Sequence, residues 1–175
     1  MQQLIEKFSP FLFGRGVYLL LAFVCHEFIV TALYFQYVVG LEPCPLCTIQ
    51  RIIIIFLGGI FAVAALHGPG KIFARIYNGL ALILGICGIG VAWRHVWLQH
   101  LPKDQVPDCG PGLDYIMDTL PFLDALANIL KGSGECAEVA WSFLGISMAE
   151  WMLPIFIGFV SATVFLIWVQ KYRQD

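Results

Sequence analysis

The run Glu42-Pro43-Cys44-Pro45-Leu46-Cys47-Thr48-Ile49-Gln50-Arg51, continued by Ile52-Ile53-Ile54-Ile55-Phe56-Leu57, decides how this chain folds. Proline suits the first position of a helix and not its interior, so a helix should open at Pro45 with Cys44 as its N-cap and Cys47 in its first turn. The apolar residues beyond carry it to about residue 66, and about 20 such residues cross a bilayer. Two cysteines therefore stand at the mouth of a membrane helix. Unpaired N–H groups and the positive end of the helix dipole at that mouth favour a thiolate over a thiol. Arg51 follows Cys47 by four residues, which places it on the same helix face one turn deeper. Its cation either snorkels to the headgroups or serves the sulfur and donates hydrogen bonds to a carbonyl oxygen on a lipid-soluble ring.

Working outward, the chain is 59% hydrophobic and 13% charged over 175 residues, too apolar for a soluble domain of ordinary composition. Segments of bilayer-spanning length fall at about 17–39, 45–66, 72–93 and 152–169. The expected fold is all-α: an integral membrane four-helix bundle, one membrane domain over 1–175, with outer loops at about 36–44 and 99–150. The first apolar run is longer than a signal peptide's core and lacks a small-residue cleavage pattern, so it reads as an uncleaved first helix. The net charge of -2 says little about partners, and no basic and aromatic cluster of the nucleic-acid-binding kind is present.

Orientation follows from the cations. Lys7 and Arg15 precede helix one, Lys71 and Arg75 lie between helices two and three, and Lys171 and Arg173 follow helix four. Basic residues near helix ends collect on the cytoplasmic side, so both termini are expected there. The segment from about 99 to 150 is acidic and should face outward, carrying Lys103 and Lys131 against Asp104, Asp108, Asp114, Asp118, Asp124, Glu135, Glu138 and Glu150. Cys44, Cys47, Cys109 and Cys136 then share an outer, oxidising compartment where disulfides persist. Cys25 and Cys87 fall inside membrane helices and read as small hydrophobic residues.

The outer segment is long enough to require a purpose. Leu113, Ile116, Met117, Leu120, Leu123, Ala127 and Leu130 recur at helical spacing, an amphipathic pattern that Pro121 should break or kink. A second stretch, 137–151, has the same interfacial style, with Trp141 and Trp151 expected as membrane-surface anchors. Cys109 lies among prolines and glycines and should be mobile and exposed; Cys136 follows Gly132-Ser133-Gly134-Glu135, a similar loop. A bridge between these two cysteines would close a loop of about 27 residues, either as a staple or, given the flexible flanks, as a disulfide that exchanges.

Taken together, the Gly14-Arg15-Gly16 run, Pro43-Cys44-Pro45-Leu46-Cys47 with Arg51, the Arg94-His95 and Leu98-Gln99 region, and Gly134-Glu135-Cys136-Ala137-Glu138 with Trp141, Phe143, Leu144 and Gly145 resemble the bacterial disulfide-bond formation protein B family, DsbB. The resemblance implies a quinone-dependent thiol oxidoreductase of the bacterial inner membrane, with ubiquinone or menaquinone as cofactor and a soluble periplasmic DsbA-like oxidant as partner. By position it implies that Cys44 and Cys47 form the quinone-side pair, that Cys109 and Cys136 form the partner-side pair, and that Cys47, Arg51 and His95 meet the quinone. Gln50 departs from the family, many of whose members have Glu there, and the amphipathic stretch after Cys109 is this chain's own. Those departures leave open the paralogue DsbI, which serves a dedicated partner.

Three rival readings remain. The four outer cysteines are the ligands of zinc or an iron–sulfur cluster in one, and staples of a non-enzymatic membrane scaffold in another. No metal is expected, because the first needs reduced thiols in an oxidising compartment. The third, a vitamin K epoxide reductase-like enzyme, would carry its C-x-x-C on the last helix of the bundle.

Overall fold

The computed structural model describes residues 15–102, 104–108, 115 and 118–172. Its long helices are α1 (Arg15–Tyr37), α2 (Pro45–His67), α3 (Lys71–Gln99) and α6 (Met148–Tyr172), with short helices α4 (Phe122–Lys131) and α5 (Gly134–Ala137) between α3 and α6. All four long helices are long and apolar enough to cross a membrane. The fold is all-α apart from a hairpin of two two-residue strands, β1 (Ser142–Phe143) and β2 (Ile146–Ser147).

Local chemistry sets each boundary. Cys44 caps α2, its sulfur accepting from the Cys47 amide at 3.3 Å, with Pro45 behind it. Helix α3 continues six residues past the expected end at Trp93, because its polar last turns find partners. Arg94 lies 4.3 Å above the Trp97 ring and donates to the Lys131 carbonyl, and Gln99 accepts from Ser147. At about 1.5 Å per residue, the 29 residues of α3 reach about 43 Å, beyond the about 30 Å of a hydrocarbon core. Helix α6 starts four residues before the expected Met152, on a reciprocal capping box. The Ser147 hydroxyl accepts from the Glu150 amide at 3.2 Å, and the Glu150 carboxylate accepts from the Ser147 amide at 2.6 Å.

The stretch 137–151, expected to be amphipathic, leaves helix after Ala137, the last residue of α5, and is not helical again before Met148. It turns back as the hairpin, pairing Ser142 with Ser147 and Phe143 with Ile146. Leu144 and Gly145 both have positive φ, 55° and 79°, the requirement of a tight I′-type turn. In the first amphipathic stretch, Pro121 ends one segment and stands as the N-cap of α4, which buries Ala125 and Ile129 and turns Leu123 outward.

Helices α1, α2, α3 and α6 run up and down around a core of Leu57, Phe61, Phe156, Phe159 and Leu166, in which the Phe61 and Phe159 rings stack 6.5 Å apart. Helix α6 approaches α3 closely at Gly88, where a Cβ would lie 2.4 Å from the Phe156 ring. One end is tied by a closed ring of hydrogen bonds among Tyr18, Asn78 and Gln170. Arg15 packs over Gly68, the C-cap of α2, at the same end. Lys71 and Lys171 sit there too, while Cys44, His95 and Cys136 gather at the other end. Phe23, Phe56, Ile83 and Trp168 point outward from the bundle, the distribution expected of helices whose solvent is lipid.

Candidate redox site

Three elements bring the site together. Capping of α2 puts the Cys44 sulfur 2.9 Å from that of Cys47, with Cys44 donating. The added turns of α3 bring His95, 3% exposed, to 3.6 Å from Cys44 through Nε2. The third is α5, whose fully buried Cys136 lies beside the Cys44 sulfur. Cys44 therefore sits between its C-x-x-C partner and a cysteine 92 residues away.

The burial of Cys136 corrects the expectation of a mobile loop, and Gly132 supplies the reason. With φ 78° and ψ 156° it occupies a region that only glycine enters comfortably. Its missing side chain also leaves room for Leu98, since a Cβ there would lie 2.3 Å from Leu98 Cδ1 and 3.6 Å from Leu46 Cδ1. What reads as a hinge is a fixed point wedged between α2 and α3. Arg94 holds the end of α4 just before it, and Cys136 N bonds the Ser133 carbonyl at 2.9 Å. Cys109 lies outside the described residues, as do the expected basic flanks Lys7 and Arg173; the preceding Asp108 accepts from Gly134 at 3.4 Å, two residues from Cys136.

The thiols outside the membrane-spanning segments are held protonated. At Cys44 the hydrogen bond from Cys136 works in the opposite direction, but the bond to Cys47 and burial outweigh it and push the thiol up to about 12. The bond to Cys44, reinforced by burial, also pushes the Cys136 thiol up. Cys44, Cys47 and Cys136 are all unbridged thiols here, so these directions belong to the reduced state.

Arg51 is held from α1. It donates to the Gln36 side-chain oxygen and, at 3.3 Å, to the Ala32 carbonyl, both on α1. Among the described residues, its neighbour Gln50, 2% exposed, has a buried Nε2 without a hydrogen-bond partner, and His95 Nδ1 is in the same condition. Gln50 shares a small cavity of about 80 Å³ with Cys47, Arg51 and Met148. A second cleft, of about 100 Å³, is lined by Cys44, Cys47, Arg51, His95 and Trp141. A third, of about 370 Å³, is an apolar groove between α1 and α6 that includes Phe28, Phe143 and Trp151. Ala32 and Met148 line all three and mark where they adjoin. Trp141, expected as an anchor, closes the cleft against Phe35 with ring centres 4.8 Å apart and stacks on Phe143.

Comparison with known proteins agrees with this geometry. Residues 14–166 match the family model described as disulfide bond formation protein DsbB. The chain is 47% identical over 149 residues to disulfide bond formation protein B of Nitrosococcus oceani, covering 84% of this chain and 88% of that one. It is 45% identical over 154 residues to the protein of that name from Chromobacterium violaceum, covering 88% and 93%, and 44% identical over 160 residues to that of Hahella chejuensis, covering 91% and 96%. With sulfurs converging at the end of an apolar helical bundle and this similarity along most of its length, the chain belongs to the DsbB family of membrane disulfide bond formation proteins.

Proposed function

We propose that this chain reoxidises a DsbA-like periplasmic thiol oxidant and passes the electrons to ubiquinone or menaquinone, generating disulfides de novo. The observation that carries the reading is the placement of the Cys44 sulfur against both Cys47 and Cys136. Disulfide exchange needs an attacking sulfur beside the bond it breaks, and the closeness of Cys136 to Cys44 supports an exchange between them.

The relay balances as two thiol–disulfide exchanges. A thiolate of the reduced partner attacks Cys109 of a Cys109–Cys136 disulfide, and Cys136 leaves. The partner's second thiol then closes its own disulfide and releases Cys109. Next Cys136 attacks Cys44 of the Cys44–Cys47 disulfide and Cys47 leaves; Cys109 closes back onto Cys136 and frees Cys44. Two electrons and two protons now reside on Cys44 and Cys47, and the loop pair is oxidised again.

Those electrons need a lipid-soluble acceptor, and a bound quinone supplies a sink for two electrons and two protons. The residues fit such a ring. The groove between α1 and α6 has the volume of a small-molecule site and walls of aromatic and apolar side chains. Beside it, Arg51 and the unpartnered Gln50 amide offer hydrogen-bond donors for a carbonyl oxygen, next to Cys47. His95 flanks the same sulfurs from α3. In this reading the acidic outer segment faces the periplasm and both termini the cytoplasm.

The test is reduction of quinone by purified chain in detergent with a reduced DsbA-like protein as donor. One quinone should be reduced per partner disulfide formed, and a partner lacking its second thiol should accumulate a mixed disulfide with Cys109, because the thiol that would release Cys109 is missing. A partner cross-linked to Cys47 while Cys109 is intact would reverse the relay order.

A further inference from the structure

Three soft donors meet at the outer end of the bundle, with a fourth beside them. The ligand atoms of Cys44, Cys47 and His95 all lie within 4.8 Å of one another, and the buried Cys136 thiol stands outside that group, on its Cys44 side. Sulfur and imidazole nitrogen in a four-donor set are what tetrahedral zinc selects. With Zn–S about 2.3 Å and Zn–N about 2.0 Å, neighbouring donors should stand roughly 3.5–3.8 Å apart. Cys44 and His95 already stand at 3.6 Å, while Cys44 and Cys47, at 2.9 Å, must part by a little under 1 Å. The cation has a way in as well, because the cleft over the sulfurs is lined by Glu42, Glu135 and Glu138.

A second observation concerns His95. It is buried, and among the described residues its Nδ1 has no hydrogen-bond partner while its Nε2 lies against the Cys44 sulfur. An imidazole with so little protein hydrogen bonding is free to present a lone pair to a metal.

We infer that the reduced chain binds one zinc ion through Cys44, Cys47, Cys136 and the His95 imidazole, closing a site that exists only while all three sulfurs are unbridged. Binding moves no electrons: three thiols lose three protons, the imidazole binds neutral, and the net charge of minus one at the centre faces the Arg51 guanidinium across the same cleft. This donor set omits Cys109 and adds a histidine, so it differs from the four-cysteine centre weighed from the sequence. The consequence for turnover rests on the proposed relay: zinc would hold Cys44, Cys47 and Cys136 out of exchange, so a reduced enzyme without quinone would be stalled by metal and a disulfide-bonded one would not.

The experiment uses the full chain in detergent, fully reduced or fully oxidised, titrated with zinc against a chromophoric chelator and with cadmium as a spectroscopic stand-in. The reduced chain should take up one equivalent with release of three protons and show a thiolate-to-cadmium charge-transfer band; the oxidised chain should show neither. Cys136→Ser should cut that band by a third, Cys44→Ser should abolish tight binding, and His95→Gln should weaken it at least about tenfold, the scale on which even outer-shell partners act. Cys87→Ser, on an outward face of α3, should change nothing. Absence of stoichiometric uptake by the reduced chain, uptake undiminished in Cys44→Ser, or an unaltered band in Cys136→Ser overturns the site. Quinone reduction in metal-free buffer is read separately: turnover without zinc uptake sinks this inference and leaves the relay, and zinc uptake without turnover does the reverse.

Discussion

Replacing Gly132 with alanine should detach Cys136 from Cys44 while leaving the membrane helices in place. Two costs add. At φ 78° and ψ 156°, a residue with a Cβ carries about 1–3 kcal/mol of backbone strain. The new methyl would also lie 2.3 Å from Leu98 Cδ1, well inside the about 3.5–4.0 Å of a carbon–carbon contact, and overpacking of this kind costs about 1–3 kcal/mol. The total of about 2–6 kcal/mol is more easily relieved by lifting the short segment around α5 than by separating α2 from α3. Even the lower figure lowers the ratio of docked to undocked states about thirtyfold, since 1.4 kcal/mol is a factor of ten.

The assay is the effective concentration of the Cys44 and Cys136 thiols for each other, measured as disulfide formation in a glutathione redox buffer in a chain with Cys47 and Cys109 replaced by alanine. Gly132→Ala should lower it by about thirtyfold or more. Adding Leu98→Ala should recover the packing part but not the backbone part, so the double variant should fall between the two. An effective concentration within about threefold of the parent, in protein that is still inserted and folded, would show that Gly132 does not hold Cys136 in place.

The remaining predictions concern single side chains. Because the Cys44 thiol is pushed up to about 12, its thiolate is scarce at neutral pH in the reduced chain. Site-resolved alkylation of Cys44 should then run about a hundredfold slower than at an ordinary exposed thiol, after allowing for the greater nucleophilicity of a high-pKa sulfur. That rate should keep rising above pH 10, and Cys47→Ala, which removes a hydrogen bond that raises the value, should move the profile to lower pH. Arg51→Met keeps the stem and removes the cation; it should raise the apparent Michaelis constant for quinone and, because the bonds to Gln36 and Ala32 are lost, cost about 1.5–3 kcal/mol of stability. Unchanged quinone kinetics with lowered stability would make Arg51 a tie between α1 and α2 and nothing more. For topology, a membrane-impermeant thiol reagent should label Cys109 in reduced cells from the outer face, and labelling from the cytoplasmic face alone would invert the orientation.

Much of this was legible along the chain. The helix opening at Pro45, its cysteine cap and the bilayer-spanning apolar runs are local properties of proline geometry, capping and hydropathy, and each appears in the structure without help from distant residues. The start of α6 was legible too, in Ser147-Met148-Ala149-Glu150, but a window of mean hydropathy passes over a capping box because its polar residues lower the average. The end of α3 was less so: Arg94, His95 and Gln99 look like the close of a membrane helix until Trp97, Lys131, Cys44 and Ser147 are seen to satisfy them.

By itself the sequence determined the membrane helices and the family, because hydropathy and residue spacing are written in neighbouring positions. Tertiary structure alone decided what each site residue touches. Arg51 could be read as a snorkelling cation until Gln36 and Ala32 arrived from α1 to receive it. Gly132-Ser133-Gly134 carries the composition of a linker, and the same glycine that frees an isolated chain is the one residue that fits between Leu46 and Leu98 at positive φ. The burial of Cys136 on Cys44, across 92 residues, follows from that wedge. Composition reports the entropy a segment has when unfolded, whereas its order in the fold depends on contacts that only the packed helices supply.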